Sequence, residues 1–529
     1  MSTQPAIYRL EYSTQSYDWG KLGSESKVAA YAAGIDGFVV DNNKPYAELW
    51  MGTHPNGPSY VLSPDGTKRL LKEVIAADRS LVTPELYKSY DGDLPFLFKV
   101  LSIRKALSIQ AHPDKILGAE LFEKFPHLYK DPNHKPEMAL ALTPFEALCG
   151  FRPLEEITAH LANYPELTAL VGTDVATTFR NTVSSRVDPS DLDALAENRL
   201  ALRTLFSALL TSPPTRVTEN LAALVQRIKA EGTELRIGSV PELVVRLDGQ
   251  YPGGDVGVFA VMLLNYIKLQ PGQAIFLGAN EPHAYLSGDC IECMAASDNV
   301  VRAGLTPKFK DVNVLLDMLT YRYGSARSQL MTGIPYQHTA HSTLYDPPID
   351  EFSVLLTLLH PHDHEELPGV EGPSILIVTQ GAGWIEPLDG EKLKIEQGQV
   401  YFVGARVGCA FRAGEEGLTM FKEHFVPRSI EKCQREQDSE SENGTDWGDD
   451  WLRVGTIRQA PEHHYRIPPN VILGAPQHVS EYEFLGMCAL NPVQAWLNAA
   501  QPDQRFSSNN HHFQIPQGQL TKWQVSQRT

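Results

Sequence analysis

Apolar and polar positions along this chain follow two textures, and the boundaries between them predict its organisation. From residue 1 to about 150, short apolar runs are broken by Gly, Pro and Asn turns, as in ELWMGTHPNGPS, too often for long helices. The run Phe96-Leu97-Phe98-Lys99-Val100-Leu101 reads as a buried strand leading into a QAHPDK loop. From Pro153 to about Gly232 the spacing turns helical. LEEITAHLANY, DLDALAENRLALRTLFSALL and TENLAALVQRIKAEG carry apolar residues at i, i+3 and i+4, with few glycines. Asp191 and Thr218 stand where N-caps are wanted. Strand texture returns at about Gly257 with VFAVMLLNYIKLQ, and a third β region covers about 350 to 427.

Two segments resemble each other. LQPGQAIFLGANEPHAY and IEQGQVYFVGARVGCAF each hold a turn Gly, an apolar strand and a second Gly, and only the first keeps a His near its end. Short strands at regular spacing with Gly turns predict jelly rolls. The expected fold class is therefore mainly β with an α-helical insertion: two cupin-like jelly-roll barrels, one working and one structural. The expected boundaries are 1–152 and 251–335 for the two parts of the first barrel, 153–250 for the helical insertion, and 336–428 for the second barrel. Beyond that, EKCQREQDSESENGTDWGDDW is acidic and polar, and no period of 2 or 3.6 is sustained, so 429–529 is expected to be a disordered tail.

Composition narrows the function class. With 529 residues, more than one domain is expected, and 42% hydrophobic with 21% charged residues is the balance of a folded soluble protein. The 46 basic and 64 acidic residues leave a formal charge of −18, which repels nucleic acid and anionic membranes. No leading signal segment and no apolar run of about 18–20 residues stands out. Six cysteines form no disulfide framework and suit the reduced cytoplasm. An anionic substrate would then need a local island of Lys and Arg.

The candidate chemistry begins at Gln110-x-His112. On a strand, residues i and i+2 share a face, so the Gln amide oxygen and a His ring nitrogen can converge. Glu137 in NHKPEMALAL and His283 in GANEPHAY share this character, and together the four make an N/O set for a zinc-type ion. Taken singly, each His is an ordinary imidazole on spacing alone. Around them lie Lys99, Lys115, Lys135, Arg302 and Lys308. Their plain reading is a solvated face; their functional reading is an anion clamp with Arg302 as its planar fork and Ser108 as a further donor. Glu292 alternates with Cys290 and Met294, so it is either a carboxyl of raised pKa able to shuttle protons or a structural partner of Arg302. Weaker signals are Cys290-x-x-Cys293 and the run His360-Pro-His362-Asp363-His364.

These residues sit in motifs that together resemble the zinc-dependent type I phosphomannose isomerases. The matching stretches are YDWG at 17–20, AELWMGTHPNGPS at 47–59, LPFLFKVLSIRKALSIQAHPDK at 94–115, YKDPNHKPEMALALTPFEALCGF at 129–151 and GANEPHAYLSGDCIECMAASDNVVRAGLTPKFKDV at 278–312. The resemblance spans about residues 1–427. It implies a catalytic cupin barrel, a helical insertion and a second cupin barrel. It also implies one Zn²⁺ per chain on Gln110, His112, Glu137 and His283, with the family's active-site arginine at Arg302. The implied reaction is the reversible isomerisation of D-mannose 6-phosphate and D-fructose 6-phosphate through a cis-enediol, which supplies mannose for GDP-mannose and glycans. Glu292 is the expected base, with Lys135 and His54 as rivals. Ser108, Lys308, Tyr285 and Asp298 are expected to bind substrate. The chain is expected to be a cytoplasmic monomer acting on a sugar phosphate, with no nucleic-acid or membrane partner. The alternative is a non-catalytic cupin that binds a sugar phosphate.

Overall fold

Every residue from Phe96 to Ile103 is buried, which is why that run shows no polar alternation: the strand it forms is covered on both faces. The computed structural model describes residues 7–63, 65–183, 191–232, 235–387 and 392–425, and the tail expected at 429–529 lies outside them. Phe96–Ile103 belongs to one of the two 11-stranded sheet systems among the described residues. There it pairs antiparallel with the 13-residue strand His283–Ala295, with Lys99 directly opposite Glu292.

That long strand joins the two halves of the first barrel. Its start pairs with Ile109–Ala111 and Phe145–Phe151, and its end with Phe96–Ile103 and Glu137–Ala141. The changeover falls at Gly288, whose φ is +111°. A Cβ there would lie 2.5 Å from the Pro144 carbonyl oxygen and 2.7 Å from Phe145 Cα. Only glycine fits both the backbone angle and the close approach. Gly288→Ala is accordingly expected to cost about 1–3 kcal/mol and to lower the calorimetric melting midpoint by several degrees. An unchanged midpoint would show that the bend tolerates a side chain.

The second barrel repeats the design. Ala274–Leu277 precedes His283–Ala295 in the first barrel, and Val400–Val403 precedes Cys409–His424 in the second. Each short strand follows a left-handed turn glycine, Gly272 at φ +84° or Gly398 at φ +86°. The long strands begin on His283 in one barrel and on Cys409 in the other. Between the barrels, Phe98, Val100, Ile291 and Cys293 share one buried cluster with Val354, Ile375, Phe402 and Phe421.

Helices run from Leu154 to Gln250. They pack on one end of the first barrel, where Phe151 stacks on Tyr321 at 5.6 Å and meets Phe206 edge-on at 5.1 Å. Asp191 caps its helix by accepting from the Ala194 amide at 3.0 Å.

Three expectations need correction. Thr218 is not an N-cap: its helix starts at Pro214, where a fixed φ suits the first turn and no N–H needs capping. Thr218 Oγ1 instead donates inside the helix toward the Pro214 carbonyl at 3.0 Å. VFAVML is not strand: Gly257–Ala260 forms a helical turn, and strand begins only at Leu264. An apolar run buried on all sides has no period to separate the two states. Finally, residues 1–152 do not all join the first barrel. Ile7–Glu11 pairs with Val400–Val403 of the second, with Ile7 opposite Val403, and carries Tyr60–Leu62 with it. Such pairing is decided by distant partners, which local pattern does not record.

Candidate metal centre

Three neighbouring strands place the site. Gln110 lies opposite His283 on one side and opposite Arg302 on the other, so the three form a row across the sheet. His112 follows one residue past the strand Ile109–Ala111, and Glu137 opens the strand Glu137–Ala141. His112 is fully buried, and His283 and Glu137 are each 2% exposed.

Hydrogen bonds fix both imidazoles. His112 Nδ1 donates to the Asn299 carbonyl at 2.6 Å, and His283 Nδ1 donates to the Glu281 carbonyl at 3.1 Å. Each ring therefore presents the lone pair of Nε2. His112 Nε2 is 3.3 Å from Glu137 Oε1, and His283 Nε2 is 3.4 Å from Glu137 Oε2. His112 Nε2, His283 Nε2 and Glu137 Oε2 are buried without a hydrogen-bond partner. Three lone-pair donors pointing at one another in a dry interior are costly unless a cation sits among them. Two donors about 2.1 Å from a tetrahedral zinc ion lie about 3.4 Å apart, so the spacing fits one ion. This is the one set of three or more His, Cys, Asp or Glu ligands among the described residues that could hold a metal. Burial pulls the His112 imidazole down to about 4, against the pull of Glu137, so it is neutral as a ligand must be. Burial pushes the Glu137 carboxyl up, and the Lys135 ammonium beside it pulls it down, to well below the usual range.

The remaining expected site residues divide into those that join this array and those that do not. Lys135 Nζ lies 3.3 Å from Glu137 Oε1. His54 Nδ1 accepts from the Asn56 amide at 3.3 Å, and its Nε2 faces Asp298 Oδ1 at 3.5 Å. That contact is the main reason the Asp298 carboxyl is held low. Ser108 Oγ donates to Gln110 Oε1 at 3.1 Å, holding the amide in place. Tyr285 is buried beside His283, with ring centroids 6.5 Å apart. Burial pushes its phenol far up, with Glu292 adding to the rise. Lys308 is exposed and no contact joins it to the array among the described residues.

Glu292 is not the partner of Arg302. It pairs with Lys99 at 3.1 Å, both of them buried, and the Lys99 ammonium lies 4.9 Å from the centre of the Trp50 ring. Burial raises the Glu292 carboxyl above the usual carboxylate range, Lys99 pulls it back, and Glu137 pushes it further up. Burial alone would discharge Lys99; Glu292, Glu48 and Glu137 reverse that and keep it charged. Arg302 is half-buried, and burial is what lowers its guanidinium pKa. Cys290 and Cys293 are both free and buried, three residues apart on one strand and so on opposite faces. In the His360 run, His362 only reaches Glu415 at 3.5 Å on the surface.

Asn299 and Glu281 leave no signal in the sequence, because they orient the two rings through backbone carbonyls that any residue supplies. The pairing of Lys99 with Glu292 leaves none either, because only cross-strand register brings them together.

Three family models match the chain: phosphomannose isomerase type I, catalytic domain, over residues 7–154; its helical insertion domain over 170–264; and its C-terminal part over 342–386. The chain is 45% identical to mannose-6-phosphate isomerase of Schizosaccharomyces pombe over 424 residues, covering 79% of this chain and 99% of that protein. It is 46% identical to that of Aspergillus fumigatus over 444 residues, 79% of this chain and 96% of that one. Among solved structures, a mutant phosphomannose isomerase from Salmonella typhimurium superposes with a TM-score of 0.66 at 30% identity, covering 80% of this chain and 100% of that one. A zinc-bound mannose 6-phosphate isomerase superposes at 0.65 with the same identity and coverage.

Proposed function

This chain belongs to the type I phosphomannose isomerases, and we propose that Gln110, His112, Glu137 and His283 hold its zinc ion. The enzyme is an aldose–ketose isomerase that interconverts D-mannose 6-phosphate and D-fructose 6-phosphate with one zinc ion as cofactor. The observation that carries the ligand assignment is the convergence of the unpartnered atoms of His112, Glu137 and His283. Gln110 joins them by register, beside His283. Zinc held there would supply a Lewis acid that favours removal of the proton on the carbon next to the sugar's carbonyl.

The residues around it divide the rest of the work. Glu292 takes the carbon-bound proton from one carbon and returns it to the other through a cis-enediol, while a second proton passes between the C1 and C2 oxygens. Its burial raises it toward the operating pH, and Lys99 keeps it ionised enough to accept. Lys135 and His54 are the alternative carriers, each already held by a carboxylate, Glu137 and Asp298 respectively. Arg302 stands in the row with Gln110 and His283, where a rigid cation can steady negative charge on the enediol or the phosphate. Ser108 keeps the Gln110 amide oriented, Tyr285 and Asp298 line the substrate side, and Lys308 offers a charge at the rim.

We place the enzyme in the cytoplasm as a monomer that supplies mannose for GDP-mannose and glycans. The four described cysteines are free, as a reducing compartment requires. Among the described residues no helix is long and apolar enough to cross a membrane. A coupled assay that converts mannose 6-phosphate to fructose 6-phosphate tests the reaction directly. Binding of the sugar phosphate without conversion would leave only a binding protein.

A further inference from the structure

Two of the proposed zinc ligands lie close to segments with little regular structure of their own. His112 sits past the end of its strand, and Glu137 follows the irregular stretch from Phe125 to Pro136. Such segments hold a site only if tertiary contacts replace the missing ladder. One such contact is internal to the first barrel. Asn299, whose carbonyl orients His112, also donates through Nδ2 to the Asp131 and Asn133 carbonyls at 2.6 and 2.7 Å.

The other contact comes from outside it. Glu351 precedes the second-barrel strand Ser353–Leu359, and it is 2% exposed. Its Oε1 accepts from His134 Nε2 at 2.7 Å and lies 2.8 Å from Lys115 Nζ. His134 is three residues before Glu137, and Lys115 is three residues after His112. A single buried carboxylate oxygen thus ties together both ligand-bearing segments. His134 and Lys115 hold its carboxyl down at about 2 although burial pushes the other way, so it is a charge that its partners outweigh.

We propose that Glu351 is a positioning residue, through which the second barrel fixes the spacing of His112 and Glu137 and so sets how tightly zinc is held. The proposal rests on the ligand assignment above. It gives the second barrel, which lacks a metal site of its own among the described residues, a part in the chemistry.

The test compares the parent with Glu351→Ala and Glu351→Asp. It reads the rate of zinc loss to a chelator, hydrogen–deuterium exchange over residues 125–137, and the kinetic constants. Glu351→Ala is expected to speed zinc loss about tenfold or more, to lower kcat similarly and to leave KM within about twofold. Exchange over 125–137 rises, and Glu351→Asp recovers part of both losses. Zinc loss and kcat within about twofold of the parent would overturn the proposal, as would a lower melting midpoint with unchanged zinc retention. If Glu351→Ala does not fold, Lys115→Met removes one of the same contacts from a largely exposed side chain and carries the same expectations. A parent protein that holds no zinc would overturn the ligand assignment itself, a result distinct from a parent and a variant that hold zinc equally well.

Discussion

Stripped of zinc by a chelator, the enzyme loses at least about 10³-fold in turnover and regains it on addition of Zn²⁺, because a Lewis acid supplies several kcal/mol of transition-state stabilisation. The same treatment leaves His112, His283 and Glu137 with buried lone pairs facing one another, which destabilises the fold as well as the reaction. Zinc at about 1,000 times its dissociation constant restores about 4 kcal/mol, so the melting midpoint should rise with metal concentration. Glu137→Gln should reproduce the loss of activity without a chelator, since it removes the one charge in the ligand set and keeps its volume. Full turnover in protein that elemental analysis shows to be free of zinc would end the metal-centred account.

Glu292→Gln should lower kcat by about 10²–10⁴-fold, the usual worth of a positioned general base, with KM changed little. The decisive reading is isotopic. In deuterated water the parent should exchange the proton carried between C1 and C2, and the variant should not. Loss of the charge also leaves Lys99 buried without its partner, and breaking such a pair costs about 3–5 kcal/mol. Kinetics are therefore read well below the melting midpoint. A Lys99→Met, Glu292→Gln double variant, in which no charge is stranded, separates stability from chemistry. Retained turnover together with retained exchange would move the proton to Lys135 or His54. Those two differ in their partners, since Lys135 touches Glu137 of the proposed ligand set and His54 is held by Asp298 instead.

Much of the architecture is legible in the chain's local patterns. Helical spacing within 153–250, the two matching Gly-strand-Gly segments and the residue types of the ligand set are all local patterns, and burial or turn geometry writes such patterns directly into adjacent residues. The sequence by itself determined which side chains offer lone pairs and where the chain turns. It also determined that a helical insertion interrupts the first of two barrel-like units. Only the tertiary structure decided that Ile7–Glu11 joins the second barrel, that Lys99 and not Arg302 answers Glu292, and that Glu351 reaches back to His134 and Lys115. The reason is physical: strand pairing and buried ion pairs are formed between residues tens to hundreds of positions apart, and their energy comes from register and desolvation, quantities that no short stretch of chain contains.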